Sequence, residues 1–115
     1  MKLIVAIIQP PKLRPVQEAL QRIGVERMTV CDAQGFGRQR GHTGTYRGIE
    51  SKTHLLRKVA LEIAVNDDFL QRTIDTLIQV ARTGPQGTIG DGKIFVLPMV
   101  EAIQIGGPDR GPGAI

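Results

Sequence analysis

The apolar and polar residues of the chain follow two periods, one typical of strands and one typical of helices. Residues 2–8, KLIVAII, form a nearly continuous apolar run, which predicts a central strand buried on both faces. Residues 58–65, KVALEIAV, alternate strictly, which predicts a strand with one buried face. The same reasoning predicts further extended segments over residues 28–37, 93–97 and, more briefly, 100–105.

Two segments between these strands have the periodicity of amphipathic helices. The first contains Leu13, Val16, Leu20 and Ile23, and Gly24 follows it as a C-cap signal. The second begins after Asn66, a favoured N-cap residue, with Asp67 and Asp68 in its first turn. Its predicted buried stripe consists of Leu70, Ile74, Leu77, Ile78 and Ala81.

The order of these elements predicts one α+β domain over residues 1–115. It reads β-α-β, a long loop, then β-α-β and a short C-terminal strand, which is the order of a ferredoxin-like split βαβ sandwich. Both helices then cover the same face of the sheet. The other face needs solvent, a ligand or another subunit, so we expect an oligomer. The Gly/Pro-rich tail over 106–115 is predicted to be flexible.

Two glycine-rich basic loops are the candidate functional segments. Residues 35–48, GFGRQRGHTGTYRG, contain five glycines and three arginines and no carboxylate, which favours an anionic partner. Within residues 83–93, TGPQGTIGDGK, the segment 87–93 satisfies most of a Walker A spacing, but position 94 is Ile and the loop follows a helix instead of opening one. Its backbone amides and Lys93 are suited to phosphate. A simple helix-to-strand turn is the alternative interpretation.

Composition excludes several classes of protein. The net charge is +4, but the basic residues are spread along the chain, and three Phe, one Tyr and no Trp are too few for a single-stranded nucleic-acid platform. No nucleophile–base or paired-carboxylate constellation indicates an enzyme.

His42 and His54 have no partners at metal-ligand spacing, and Cys31 is predicted to be a buried, inert thiol. No apolar run is long enough for a membrane span and no signal peptide is evident, so we expect a cytoplasmic protein without membrane insertion.

The segments GFGRQRGHTGTYRG, KVALEI and TIGDGKIF, with the opening IVAIIQPPKL and the ending GAI, resemble the PII family of signal-transduction proteins. The resemblance covers nearly the whole chain. It implies a homotrimer that binds ATP or ADP between subunits and senses 2-oxoglutarate through Mg-ATP. It also implies a T-loop over about residues 38–55 that docks on an ammonium or other membrane transporter, or on a metabolic enzyme. It further implies a B-loop over about residues 83–92 that contacts the nucleotide.

The resemblance also assigns individual residues. The implied nucleotide contacts are Thr29, Gly37, Arg38, Glu62, Gly90, Asp91, Gly92 and Lys93. Gln39 is the implied ligand of Mg²⁺ and, with Lys58, contacts 2-oxoglutarate. Tyr46 and Arg47, near the tip of the T-loop, are the implied target-binding residues.

Four departures from the family pattern matter for function. The positions of covalent modification in relatives are Ser51 and Ile49 here, so control by ligand alone is expected. The B-loop is longer by three residues, and Gln9 replaces a common lysine. Gln104 and Gly106 replace two phosphate-binding arginines, at a cost of roughly 3 to 6 kcal/mol if nothing compensates.

Because Gln104 and Gly106 replace the arginines of the last strand, two alternative functions remain open. One is a divergent sensor that prefers ADP or AMP, does not sense 2-oxoglutarate and is linked to bicarbonate handling or metal efflux. The other is a slow ATP hydrolase.

Overall fold

The computed structural model describes the backbone of residues 1–37, 44–46, 49–51 and 54–115, and the side chains outside 36–54. Arg38, Gln39, His42 and Arg47 therefore lie outside the described residues. Within the described ranges the strands and helices are β1 (Lys2–Ile8), α1 (Leu13–Arg22), β2 (Thr29–Gly37), β3 (Gly44–Tyr46), β4 (Ile49–Ser51), β5 (His54–Val65), α2 (Asp67–Ala81) and β6 (Gly92–Pro98).

Four of these strands form one antiparallel sheet in the order β2-β5-β1-β6. This order, with both helices on one face, confirms the predicted ferredoxin-like α+β fold. β3 and β4 pair separately as a short antiparallel ribbon inside the predicted T-loop. β5 begins at His54, four residues before the predicted start, because its first residues continue the pairing with β2 as far as Gly37.

The core lies between the sheet and the two helices. β5 alternates as predicted, and Leu61 and Ile63 are fully buried beside their β1 partners Ala6 and Ile4. The stripe of α2 differs from the prediction at two positions, since Thr73 is fully buried and Ile78 is 40% exposed. The Thr73 hydroxyl is satisfied within the helix because it donates to the Phe69 carbonyl at 2.6 Å. A single polar group is therefore accommodated in an otherwise apolar core.

The helix ends follow the predicted signals in one case and depart from them in the other. Gly24, with φ of +92°, ends α1: its amide donates to the Gln21 carbonyl, and the Val25 amide donates to the Leu20 carbonyl, a Schellman motif. Asn66 occupies the N-cap position of α2, but its side chain makes no capping hydrogen bond. Its amide group donates instead to the Pro112 carbonyl at 3.2 Å, which ties the C-terminal segment to the start of α2.

The segment after β6 is a folded-back hairpin. Instead of a strand over 100–105, the structure contains one isolated bridge between Ile103 and Arg110. The Gly111 amide donates to the Ala102 carbonyl at 2.8 Å, and the Arg110 guanidinium donates to the Glu101 carboxylate at 2.7 Å. Residues 111–114 then form a 3₁₀ turn. The backbone of the tail thus follows a definite path, and its flexibility stays a prediction.

The face of the sheet opposite the helices, here called the open face, is uncovered and largely apolar. Pairing places on it Leu3, Val5, Ile7, Ala60, Ala64, Phe95 and Leu97. Phe95 is 50% exposed. Cys31 shares this face because it pairs with Ala60 on the edge strand β2, and it is exposed. The prediction of a buried thiol was wrong, because an apolar run does not reveal that its strand lies at a sheet edge.

The helices that the structure describes are all too short or too polar to cross a membrane.

Candidate functional site

The B-loop is organised around one carboxylate, that of Asp91. Its Oδ2 accepts the backbone amides of Thr83 at 2.9 Å and Thr88 at 2.8 Å, and its Oδ1 accepts the hydroxyls of the same threonines at 2.7 and 3.1 Å. These donors, the Thr83 amide first and the Thr88 amide next, hold the pKa of the Asp91 carboxyl well below its ordinary value of 3.8. Asp91 therefore draws residues 83–91 into one closed turn.

This arrangement makes the stability of the protein depend on pH in a defined direction. Because the folded pKa of Asp91 is depressed, its ionised form stabilises the fold above pH 3.8, and the contribution is lost as the pH falls towards the folded pKa. We expect Asp91→Asn to be less stable than the wild type at pH 7. In urea unfolding, that difference should shrink steadily below pH 4; a difference independent of pH would contradict the assignment.

The carbonyl of Gly90, the residue before Asp91, accepts hydrogen bonds from two side chains outside the B-loop. Gln9, directly after β1, donates its side-chain amide to this carbonyl at 2.6 Å, and the Lys58 ammonium donates to it at 2.7 Å. Lys58 was predicted to contact 2-oxoglutarate, and in this structure it bonds the B-loop. Sequence reasoning identified Gln9 only as a departure from a family lysine, because its contact with Gly90 joins residues 81 apart in the chain.

Gly92 joins the B-loop to β6 at a place where the backbone of β1 is very close. Its φ is +122°, and a Cβ added there would lie 1.7 Å from the Ile7 carbonyl oxygen. Only glycine fits this position. The next residue, Lys93, pairs with Ile7 and has an exposed side chain on the open face. The close approach of Gly92 to β1 therefore fixes the position of Lys93 at the start of β6.

Two further basic residues lie at the B-loop that the sequence analysis did not single out. Arg82 donates from Nη1 to the Pro85 carbonyl at 3.3 Å, across the three-residue extension of the loop. Lys12 donates from Nζ to the Arg82 carbonyl at 3.4 Å. The loop thus combines backbone amides and glycines with positive φ, and its neighbours are basic, an arrangement suited to an anion.

A second group of predicted residues lies elsewhere on the sheet. Thr29 and Glu62 are direct partners across β2 and β5. They line a cavity of about 250 Å³ together with Ala102, Ala114 and Ile115 from the C-terminal segment. Gly37 is at the other end of β2, paired with His54.

One chain does not bring the two groups together. β2 and β6 are the two edges of the sheet, three strand spacings or about 14 Å apart. Gly90, Asp91, Gly92 and Lys93 lie with Lys58 at the B-loop, whereas Thr29 and Glu62 lie near the β2 edge. Within a single chain, these predicted nucleotide residues therefore form two separate groups, one at the B-loop and one near the β2 edge.

The described side chains contain no group of three or more His, Cys, Asp and Glu residues placed to hold a metal ion. Asp91 is also unsuited to be a ligand, because both of its oxygens already accept two hydrogen bonds each.

Comparison with known proteins agrees with this geometry. The family model described as nitrogen regulatory protein P-II matches residues 1–107. The chain is 50% identical to the nitrogen regulatory protein P-II of Rhodospirillum rubrum over 115 residues, the whole of both chains. It is 44% identical to the nitrogen regulatory protein GlnK1 of Methanosarcina mazei over all of its own length and 97% of that protein. It is 50% identical to the nitrogen regulatory protein P-II 1 of Escherichia coli over 105 residues, 91% of each chain.

The family match over most of the chain, and relatives of the same length that are half identical to it, agree with the fold and with the resemblance found in the B-loop and β5. The chain therefore belongs to the nitrogen regulatory protein P-II family.

Proposed function

We propose that this protein is a non-enzymatic signal-transduction protein of nitrogen regulation that binds an adenine nucleotide between the subunits of a homotrimer. The observation on which the proposal rests is the division of the predicted nucleotide residues into two half-sites that a single chain holds apart. Binding of ATP or ADP then changes the conformation of the T-loop. Through Tyr46 and Arg47, the T-loop controls a cytoplasmic enzyme or the cytoplasmic side of a membrane transporter.

The uncovered apolar face supports the trimer. In a cyclic trimer the contacts are head-to-tail, so that one region of a subunit meets a different region of the next. Such a contact brings the Thr29–Glu62 pair of one subunit beside the B-loop of its neighbour. A nucleotide in that cleft has its base near the small cavity at Thr29 and Glu62, and its phosphates near Lys93.

The chemistry of the B-loop supports the phosphate side of this site. Lys93 is exposed directly after a glycine-rich turn, and both carboxylate oxygens of Asp91 are turned to the amides and hydroxyls of Thr83 and Thr88. Mg²⁺ would reach the site with ATP and neutralise phosphate charge, and Gln39, its predicted ligand, lies outside the described residues. Lys58 supplies one cation for a carboxylate of 2-oxoglutarate.

Isothermal calorimetry with ATP, ADP and AMP in the presence of Mg²⁺ tests the proposal. We expect Lys93→Gln to weaken ATP binding about tenfold to a hundredfold, because it removes a charge-assisted hydrogen bond. Lys2→Gln, at the other end of β1 and bonded to Asp67, is the matched control and should bind like the wild type. Absence of binding of every adenine nucleotide at millimolar concentration would overturn the proposal.

A second candidate function has its own support in the C-terminal hairpin. Gln104 and Gly106 provide no cation where relatives have arginines, and Arg110 is paired with Glu101. This favours a divergent sensor that prefers ADP or AMP, for bicarbonate handling or metal efflux. Adding 2-oxoglutarate to the Mg-ATP titration separates the two: mutually enhanced binding supports nitrogen sensing, and unchanged binding supports the divergent sensor.

A further inference from the structure

The three extra residues of the B-loop pose a physical problem for a phosphate site. A longer loop has more conformations, so its amides are less often in the arrangement that binds an anion. In this chain the extension lies between Thr83 and Thr88, and both threonines donate two hydrogen bonds to Asp91. Thr88 stands where the shorter family turn, TGKIGDGK, has a lysine, so the hydroxyl that bonds Asp91 Oδ1 is a feature of this chain.

We propose that Asp91, Thr83 and Thr88 form a clamp that holds the extended B-loop in its phosphate-binding conformation. In this role Asp91 is a positioning residue and not a contact of the nucleotide, which revises the assignment implied by the family resemblance. The inference rests on the proposed function, since it assumes that the loop binds phosphate. The clamp is the reason that the insertion does not abolish the site.

The geometry of the clamp supports this role in three ways. Each carboxylate oxygen accepts one donor from either side of the extension, so neither threonine can move without breaking two bonds. Gly87 lies within the closed turn, where an added Cβ would be 3.1 Å from Asp91 Oδ2, and its φ is +75°. Finally, Gln9 and Lys58 hold the adjoining Gly90 carbonyl, so the residue before Asp91 is fixed as well.

The test compares two substitutions at one position. Thr88→Val keeps the shape of the side chain and removes the hydroxyl, whereas Thr88→Ser keeps the hydroxyl. We expect Thr88→Val to bind ATP about tenfold more weakly, the equivalent of one charge-assisted hydrogen bond, and Thr88→Ser to bind ATP as the wild type does. Asp91→Asn should lose at least as much affinity as Thr88→Val, because an amide offers one acceptor oxygen in place of two.

A second ligand distinguishes positioning from a general loss of structure. Adenosine lacks phosphates, so its binding depends on the half-site at Thr29 and Glu62 and should be unchanged in Thr88→Val. Equal losses for adenosine and ATP would overturn the clamp as a phosphate-positioning device. So would ATP binding within twofold of the wild type in both Thr88→Val and Asp91→Asn.

Hydrogen exchange of the Thr83 amide, measured by NMR without ligand, keeps the inference testable if the proposed function fails. If the wild type binds no adenine nucleotide, the proposed function is overturned. The clamp itself then stands if Thr88→Val speeds exchange of the Thr83 amide about tenfold while Thr88→Ser does not. Unchanged exchange in Thr88→Val overturns the clamp whatever the ligand results.

Discussion

Replacing Gly92 with alanine is expected to lower the free energy of unfolding by about 3 to 5 kcal/mol, beyond the usual range for a single substitution. Two effects add. The residue has φ of +122°, where a side chain is strained, and its new Cβ would lie 1.7 Å from the Ile7 carbonyl oxygen. A backbone atom cannot rotate away, so β6 must separate from β1 at this point. Urea unfolding of the two proteins measures the effect.

Two other glycines serve as controls for this prediction. Gly84 also has a positive φ, +70°, but an added Cβ has nothing within 4 Å, so Gly84→Ala should cost about 1 kcal/mol from strain alone. Gly106 has neither a positive φ nor a close neighbour, and Gly106→Ala should be neutral. If Gly92→Ala were no more costly than Gly84→Ala, the close approach of β6 to β1 would be refuted.

The second large effect concerns assembly. Phe95→Asp is expected to convert the proposed trimer, three chains of 12.5 kDa or about 37 kDa, into a monomer. Phe95 is on the open face, in one row with Val5 and Glu62, so a carboxylate there would be buried without a partner in each of three interfaces. Such burial costs several kcal/mol per ion. Light scattering coupled to gel filtration gives the mass directly.

The neighbouring residue provides a matched control. Val96 is on the same edge strand and is 43% exposed, but it pairs with Ile4 and so points to the helix side of the sheet. Val96→Asp should therefore keep the mass of the wild type. Equal dissociation by both substitutions would show that the open face is not the interface, and a wild type of about 12.5 kDa would contradict the trimer.

Sequence periodicity predicted the fold because local patterns define it here. The alternation in β5 identifies Leu61 and Ile63 as core residues, and Gly24 marks the end of α1, from information within a few residues of each position. Periodicity fails where burial depends on neighbours in space. Cys31 was predicted to be buried because its own run is apolar, yet in the single chain it lies on the edge strand β2, on the open face, and is exposed.

The internal construction of the site was less predictable than its location. The two glycine-rich loops were predicted to be functional from their composition, and the resemblance assigned roles to their residues. The bonds within the B-loop were not foreseen, because the Gln9 and Lys58 contacts to Gly90 join positions 81 and 32 residues apart. The role of Thr88 also depends on how the loop closes, and nothing in its immediate sequence indicates that its hydroxyl meets Asp91.

The Gly90 carbonyl connects the B-loop to two separate parts of the sheet. Two donors share this one acceptor: Gln9, directly after β1, and Lys58 in β5. If an anion drew the Lys58 ammonium away, the Gly90 carbonyl would still accept the Gln9 amide. We therefore expect the B-loop to stay attached to the end of β1 when its link to β5 is lost.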